Sequence, residues 1–248
     1  RNQGVNSRQP SETLFPPTLQ HKFRLEVSVH RPSRLLRKDI ELVFRPDLQA
    51  EYARRTESVT AVEKDDFLRQ HLLALPTWQP ASLDLSEISF AVNEERKLLL
   101  QNFSAWAIAL RDRLAPYWAD AACPVQGNAR FGTSTSVIYN ELEGLTQLLK
   151  YSSIPIGCCG IVLHPQWQRR AYPVTFFTTA PLELVQAALA DVEHAHSENS
   201  RVPPMLPDVS LTLKRVAENE KAAEAAQKDP DAPEVVEGVC NLKLTSSA

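Results

Sequence analysis

The sequence predicts an α+β domain, a mostly antiparallel sheet flanked by helices. Three observations carry this. Phe23, Leu25, Val27 and Val29 alternate with Lys22, Arg24, Glu26, Ser28 and His30, the period of a strand with one buried face. Leu99, Phe103, Trp106, Leu110 and Leu114 form one apolar stripe at helical spacing. Residues 158–164 and 172–179 are rich in β-forming types and are separated by Pro165 and the polar run Gln166 to Arg170, as an antiparallel pair would be.

The elements follow in order. Residues 1–20 are polar, with Pro10, Pro16 and Pro17, and read as an extended arm. After the first strand, Pro32-Ser33 opens a helix carrying Leu36, Ile40, Val43 and Phe44, closed by Pro46. Residues 47–62 show no decisive pattern. A short helix with Leu68, Leu72 and Leu75 then stops at Pro76. Ile88, Phe90 and Val92 suggest a second strand, with Asn93 as N-cap of the long helix, which Pro116 ends. Residues 121–136 hold Pro, Gly, Ser and Thr and read as a loop, and 137–139 suit a short strand. Pro181 fits the first turn of a helix carrying Val185, Ala188, Leu189 and Val192. The domain is expected to cover residues 21–196. Pro203, Pro204 and Pro207 then mark a linker, 209–228 suit an Ala- and Glu-rich helix, and the remainder reads as a flexible tail.

At 248 residues the chain can bury a sizeable core. A net charge of -3 gives no basic face for nucleic acid or an anionic membrane, so neither is expected as a partner. No apolar run reaches the roughly 20 residues needed to span a bilayer. Four cysteines, two of them adjacent and none with C-x-x-C spacing, do not make a disulfide framework and point to a reducing compartment. The chain begins at Arg1, which leaves a removed targeting segment open.

The feature with most chemical promise is Gly157-Cys158-Cys159-Gly160. On a strand the two thiols would point to opposite faces, and the flanking glycines would let a backbone or a large planar ligand approach. Thiolate is a soft metal ligand. Free cysteine is also among the most buried residue types, so on these residues alone two small core hydrophobes are the commoner outcome. Cys158, Cys159 and His164 would make an awkward zinc site, because strand neighbours diverge. His194 and His196 suit a solvated helix end. Tyr117-Trp118 reads as core. No phosphate loop, nucleophile elbow, dinucleotide fingerprint or acid-base carboxylate pair is present, so no catalytic residue is assigned.

Several segments, taken in order, resemble the methylmalonic aciduria and homocystinuria type D protein family of cobalamin-trafficking chaperones. They are Leu35-Leu36-Arg37-Lys38-Asp39 closing with Phe44, Tyr117-Trp118-Ala119-Asp120, Phe131-Gly132, Gly157-Cys158-Cys159 followed by Val162, His164 and Trp167, and Phe177-Thr178. The resemblance spans roughly residues 20–192, and 47–90 and the tail after 197 depart from it. It implies a nitroreductase-like α+β sandwich that has lost the flavin of that superfamily and has no enzymatic activity. It implies docking to a cblC-type cobalamin-processing protein, with cobalamin held jointly with that partner and not by this chain alone. Methionine synthase, as a further partner, and methylmalonyl-CoA mutase are the implied destinations, and the cytoplasm the implied location, with the mitochondrion as a second. By the resemblance Cys158 ligates the cobalt of cobalamin, while Cys159 stays structural. Arg169 and Arg170 are candidates for lowering the Cys158 pKa, though hairpin roles suit them better.

The partner is expected to meet the Cys158 face, with Glu141, Glu143 and Tyr151 on a rim formed by residues 141–156. Leu142, Leu145 and Leu149 in the same segment also fit a buried helix stripe. Two alternatives remain. A flavin-dependent nitroreductase-like oxidoreductase would need a basic phosphate-binding patch, which is not identifiable. A thiol redox protein would need Cys158 and Cys159 to close a strained small ring.

Overall fold

The protein is described by a computed structural model covering residues 10–56, 61–156 and 159–195, with only the backbone given at 61, 62 and 159. Five strands form one antiparallel sheet: β1 (Glu12–Gln20), β2 (Leu25–Arg31), β3 (Leu73–Pro80), β7 (Ala171–Thr178) and β4 (Ala119–Ala121), in that spatial order. A second, two-stranded sheet pairs β5 (Ser153–Ile156) with β6 (Cys159–Val162). The α+β class and the mostly antiparallel sheet flanked by helices are therefore as the sequence predicts.

Helices cover both faces of the main sheet. On one, α4 (Phe90–Leu114) and α6 (Leu182–His194) enclose Leu25, Val27, Val29, Val174 and Phe176, together with Phe103, Trp106 and Leu110 of α4. On the other, α1 (Arg34–Val43), α2 (Arg45–Arg55) and α3 (Ala61–His71) bury Leu36, Ile40, Phe44, Leu48 and Leu68 against Ala74 and Phe177. Because the sheet is covered on both faces, Ser28 and His30 of β2 are buried as well as its apolar residues, where one buried face was expected. Burial pushes the His30 pKa down to about 4, and the neutral ring hydrogen-bonds Ser28 and Thr13.

Helix starts follow capping chemistry. The Leu36 N–H donates to Ser33 Oγ, and the Val92 N–H to Ser89 Oγ. Pro46 does not end a helix. It occupies the first turn of α2, where its missing N–H costs nothing, after a short break at Phe44. The expected helix through Leu75 ends at His71, and Leu73–Pro80 is a central strand, almost wholly buried. Pro76 sits where the β2–β3 ladder lapses between Val27↔Thr77 and His30↔Ala74, so its absent donor interrupts no β2 pair, while on the other side it stands opposite Thr175 of β7. The expected strand at Ile88, Phe90 and Val92 is absent. Ile88 is 96% exposed and lies before the Ser89 cap, and Phe90 opens α4. Residues 137–139 form no strand.

Two further differences shape the site. Residues 12–20, expected within an arm, form the edge strand β1, whose register shifts around Phe15 and the Pro16-Pro17 pair blunt it as an edge. The expected pairing of 158–164 with 172–179 does not form: β6 pairs with β5, and β7 lies between β3 and β4. The chain thus leaves the main sheet after β4, builds a loop, α5 (Glu141–Leu149) and the β5–β6 hairpin, and returns on the neighbouring strand β7. The expected linker, the helix at 209–228 and the tail lie outside the described residues. No described helix is long and apolar enough to cross a membrane.

Candidate functional site

The hairpin is short and ordered by register: Ser153↔Val162, Ile154↔Ile161, Pro155↔Gly160 and Ile156↔Cys159. Only Gly157 and Cys158 join its paired ends, and both lie outside the described residues. The expectation that Cys158 and Cys159 face opposite ways lies outside them too, since no side chain is described at 159. Behind the hairpin runs α5. Its Asn140 cap accepts from the Glu143 N–H, and a Cβ at Gly160 would meet Leu142 Cδ2 at 2.9 Å. The close approach that this glycine permits is therefore used by a leucine of α5.

The hairpin's footing is a small cluster of Trp78, Leu145, Val162 and Ala171, with Leu142, Leu149, Tyr151 and Trp167 packed around it. His164 pins its exit. The ring stacks on Trp167 at 4.2 Å between centroids and touches Trp78 and Tyr151 edge-on or tilted. Nδ1 accepts the Trp167 and Gln166 N–H groups, which assigns the remaining ring proton to Nε2, 3.1 Å from Glu26 Oε1. This histidine has both nitrogens engaged within the fold. Among the described residues no group of three or more His, Cys, Asp or Glu is arranged to hold a metal ion.

The expected rim residues have different surroundings. Glu143 is exposed. Tyr151 is half-buried against Trp78 and His164, and its hydroxyl pKa is raised by burial and by Glu26. Glu141 points inward: Oε1 accepts from Thr175 Oγ1 at 2.5 Å, and the buried Oε2 has no hydrogen-bond partner among the described residues. Burial pushes its pKa up to about 7. It lines a cavity of about 230 Å³ with Arg96, Gly160, Ile161, Arg169 and Tyr172, directly behind β6. Arg169 is paired with Asp84 at 3.1 Å, while the Arg170 carbonyl accepts from the Ala81 N–H.

The other segments singled out in the sequence meet around β4. Trp118 packs edge-on against Phe44 at 5.3 Å. Asp120, buried in β4, accepts the Ala121, Phe131 and Gly132 N–H groups and so ties the following loop to the sheet. Burial raises its pKa against the pull of those three donors. A Cβ at Gly132 would collide with the carboxylates of Asp47 and Asp120, so a larger residue would have to displace the groups that hold this loop. Beside them, burial acts to raise the Glu51 pKa, but hydrogen bonds from Arg54 and Thr179 bring it below its ordinary value. These carboxylates hold backbone and neighbouring side chains in place.

A model of the family described as methylmalonic aciduria and homocystinuria type D protein matches residues 4–190. The chain belongs to this family. Among its relatives, the cobalamin trafficking protein CblD of Gallus gallus is 28% identical over 180 residues, covering 72% of this chain and 54% of the relative. The human protein of that name is 27% identical over the same shares, and the Rattus norvegicus one 26%. The chain spans about half the length of the curated relatives it matches. The family match includes the stretch 47–90, which sequence reading had set apart. In this family member the quoted segments divide by location. Arg37, Phe44, Trp118, Asp120 and Gly132 belong to the platform, while Val162, His164 and Trp167 hold the hairpin that carries the cysteine pair. Sequence reading missed the buried carboxylate of Glu141, because a glutamate in the first turn of a helix ordinarily faces water and favours the dipole. The His164 anchor left one signal, an aromatic three residues on.

Proposed function

We propose that the protein is a non-enzymatic cobalamin-trafficking adaptor that docks to a cblC-type cobalamin-processing protein and offers the Cys158 thiolate to the cobalt of the cargo. One observation supports the reading most: the Gly157-Cys158 step joins the paired ends of a hairpin that stands apart from the main sheet and is braced from behind by α5. A ligand carried on such an element can reach into a neighbouring protein without disturbing the platform. The family relationship, whose relatives are named for cobalamin trafficking, supports the cargo.

The chemistry is ligand addition. Cobalamin that has lost its upper ligand has an open axial position, and a soft thiolate fills it, with cobalt favouring the deprotonated form. The partner supplies the corrin-binding surface, so the cobalt–sulfur bond forms only when loaded partner is present. Glu143, exposed at the start of α5, belongs to the rim that meets it. Methionine synthase and methylmalonyl-CoA mutase are the destinations.

The test is the visible spectrum of the full chain mixed with cobalamin-loaded cblC-type protein. The wild type and Cys159→Ser should develop a cobalt–sulfur charge-transfer band, and Cys158→Ser should bind the partner without it, because a hydroxyl is a harder and far less acidic ligand. A band abolished only by Cys159→Ser would reverse the two roles. Stoichiometric flavin in the purified protein would replace the adaptor with an oxidoreductase.

A further inference from the structure

A cavity of about 550 Å³ opens at the N-terminus of α1, and four of its walls are arginines: Arg31, Arg34, Arg37 and Arg69, with Glu12 and Gln70 between them. It is separate from the hairpin cavity, with which it shares no lining residue. The arrangement is electrostatically costly in a free protein. The first turn of α1 holds no acidic residue. Arg34 instead places a cation at the positive end of the helix dipole, where an anion is favoured. Four guanidinium groups around one cavity also repel each other, and among the described lining residues Glu12 is the one carboxylate.

Local ion pairs offset part of this. Arg31 meets Glu12 at 3.0 Å and Arg69 meets Asp66 at 3.0 Å, both at exposed positions where such pairs are weak and easily exchanged. Arg37 is different. It is 5% exposed, its Nη2 reaches Asp65 at 3.3 Å, and its buried Nε–H has no partner among the described residues. A buried guanidinium N–H is ordinarily satisfied, so an unmet one on a residue that lines a basic cavity leaves donor capacity for an acceptor there. Helix geometry adds the Arg34 and Leu35 N–H groups, which have no acceptor within α1.

We infer that this cavity binds a small molecule through a phosphate group carrying at least two negative charges. Planar guanidinium forks match phosphate oxygens in pairs, and a helix N-terminus supplies further donors to the same anion. The volume falls in the range of small-ligand pockets and leaves room beyond a single phosphate. The site does not depend on the adaptor reading, since neither Cys158 nor the hairpin contributes to it.

Calorimetry and thermal melting of the full chain test it, with pyrophosphate as the first probe and a nucleoside diphosphate as the second. Pyrophosphate should bind and raise the melting temperature, as any ligand of the native state does. Arg34→Glu, at an exposed position, puts an acid where the helix dipole favours one, so it should leave the unliganded melting temperature equal or slightly higher, and it should weaken binding by about tenfold or more, the loss expected for a charge-assisted contact. Arg34→Ala should fall between. Lys38→Glu makes the same charge change one turn along α1 at an exposed position outside the cavity and should keep affinity within about twofold. Tighter binding of the nucleoside diphosphate would identify a phosphorylated metabolite as the source, and equal binding the inorganic anion, both in support. No binding of either probe, or equal weakening by Arg34→Glu and Lys38→Glu, would overturn the assignment.

Discussion

The main sheet and the β5–β6 hairpin are built to different standards. Five antiparallel strands carry helices on both faces, and more than twenty buried residues fill the cluster under α4 and α6 alone. The hairpin has two strands, and four buried residues form its footing. A two-stranded hairpin is marginal without such support. The contrast separates a platform that sets global stability from a presenting element whose order is held locally, and local stability can then be low without endangering the fold.

The largest expected effect lies in the platform. Trp106→Ala, at a fully buried site between Phe103 and Phe176, should cost about 3–5 kcal/mol in urea unfolding and lower every structural signal together. Leu145→Ala removes the centre of the hairpin's footing and should cost about 2–3 kcal/mol. Its mark is uneven: amide exchange at Ile154 and Ile161 should accelerate far more than at Val174. Uniform acceleration would show that hairpin and sheet unfold as one unit, and the contrast would fail.

A third measurement sharpens the boundary through pH. The Glu141 carboxyl titrates near its ordinary 4.5 when unfolded and at about 7 when folded. Between these values the folded chain holds the extra proton, so stability is full below about 4.5 and is lost as pH rises through 7. Glu141→Gln should remove that slope and make the protein more stable than wild type at pH 8, by on the order of 2 kcal/mol. Parallel pH profiles for the two proteins would mean that the carboxylate is solvated. The smallest effect is expected for Ser89→Ala, which loses the α4 cap at a cost of about 1 kcal/mol and should leave hairpin exchange unchanged.

The platform was the more legible region, though unevenly. The α4 stripe and the α6 run could be read because one side of each helix meets water and the period shows. Strand β3 could not: buried on both faces, Leu73 to Trp78 has no alternation, and Leu72 with Leu75 imitates a helical spacing. Pro46 reads equally as a stop or a start because proline ends and begins helices alike, and only the Phe44 break distinguishes the cases. Ile88 and Phe90 imitated a strand as exposed apolar residues before a cap. In the site, the cysteine pair stood out by composition, while the hairpin's partner did not. Ser153–Ile156 is only four residues long with a proline inside, and β7 offered a stronger β pattern after a plausible turn. Inward-turned Glu141 leaves no trace in a linear pattern.

The excursion between β4 and β7 departs from and rejoins adjacent strands, with Ala119↔Thr178 and Ala121↔Phe176 holding the doorway. Ala129, Tyr139 and Leu148 of the loop and α5 are buried in the core beneath α1–α3, so the exchangeable cartridge is the hairpin at the far end. A relative's hairpin of another length can be grafted through the same doorway, because lengthening a closed excursion adds little entropy cost and leaves the sheet's register untouched. What such a chimera presents to a partner would change with the cartridge, while the frame that folds it would not.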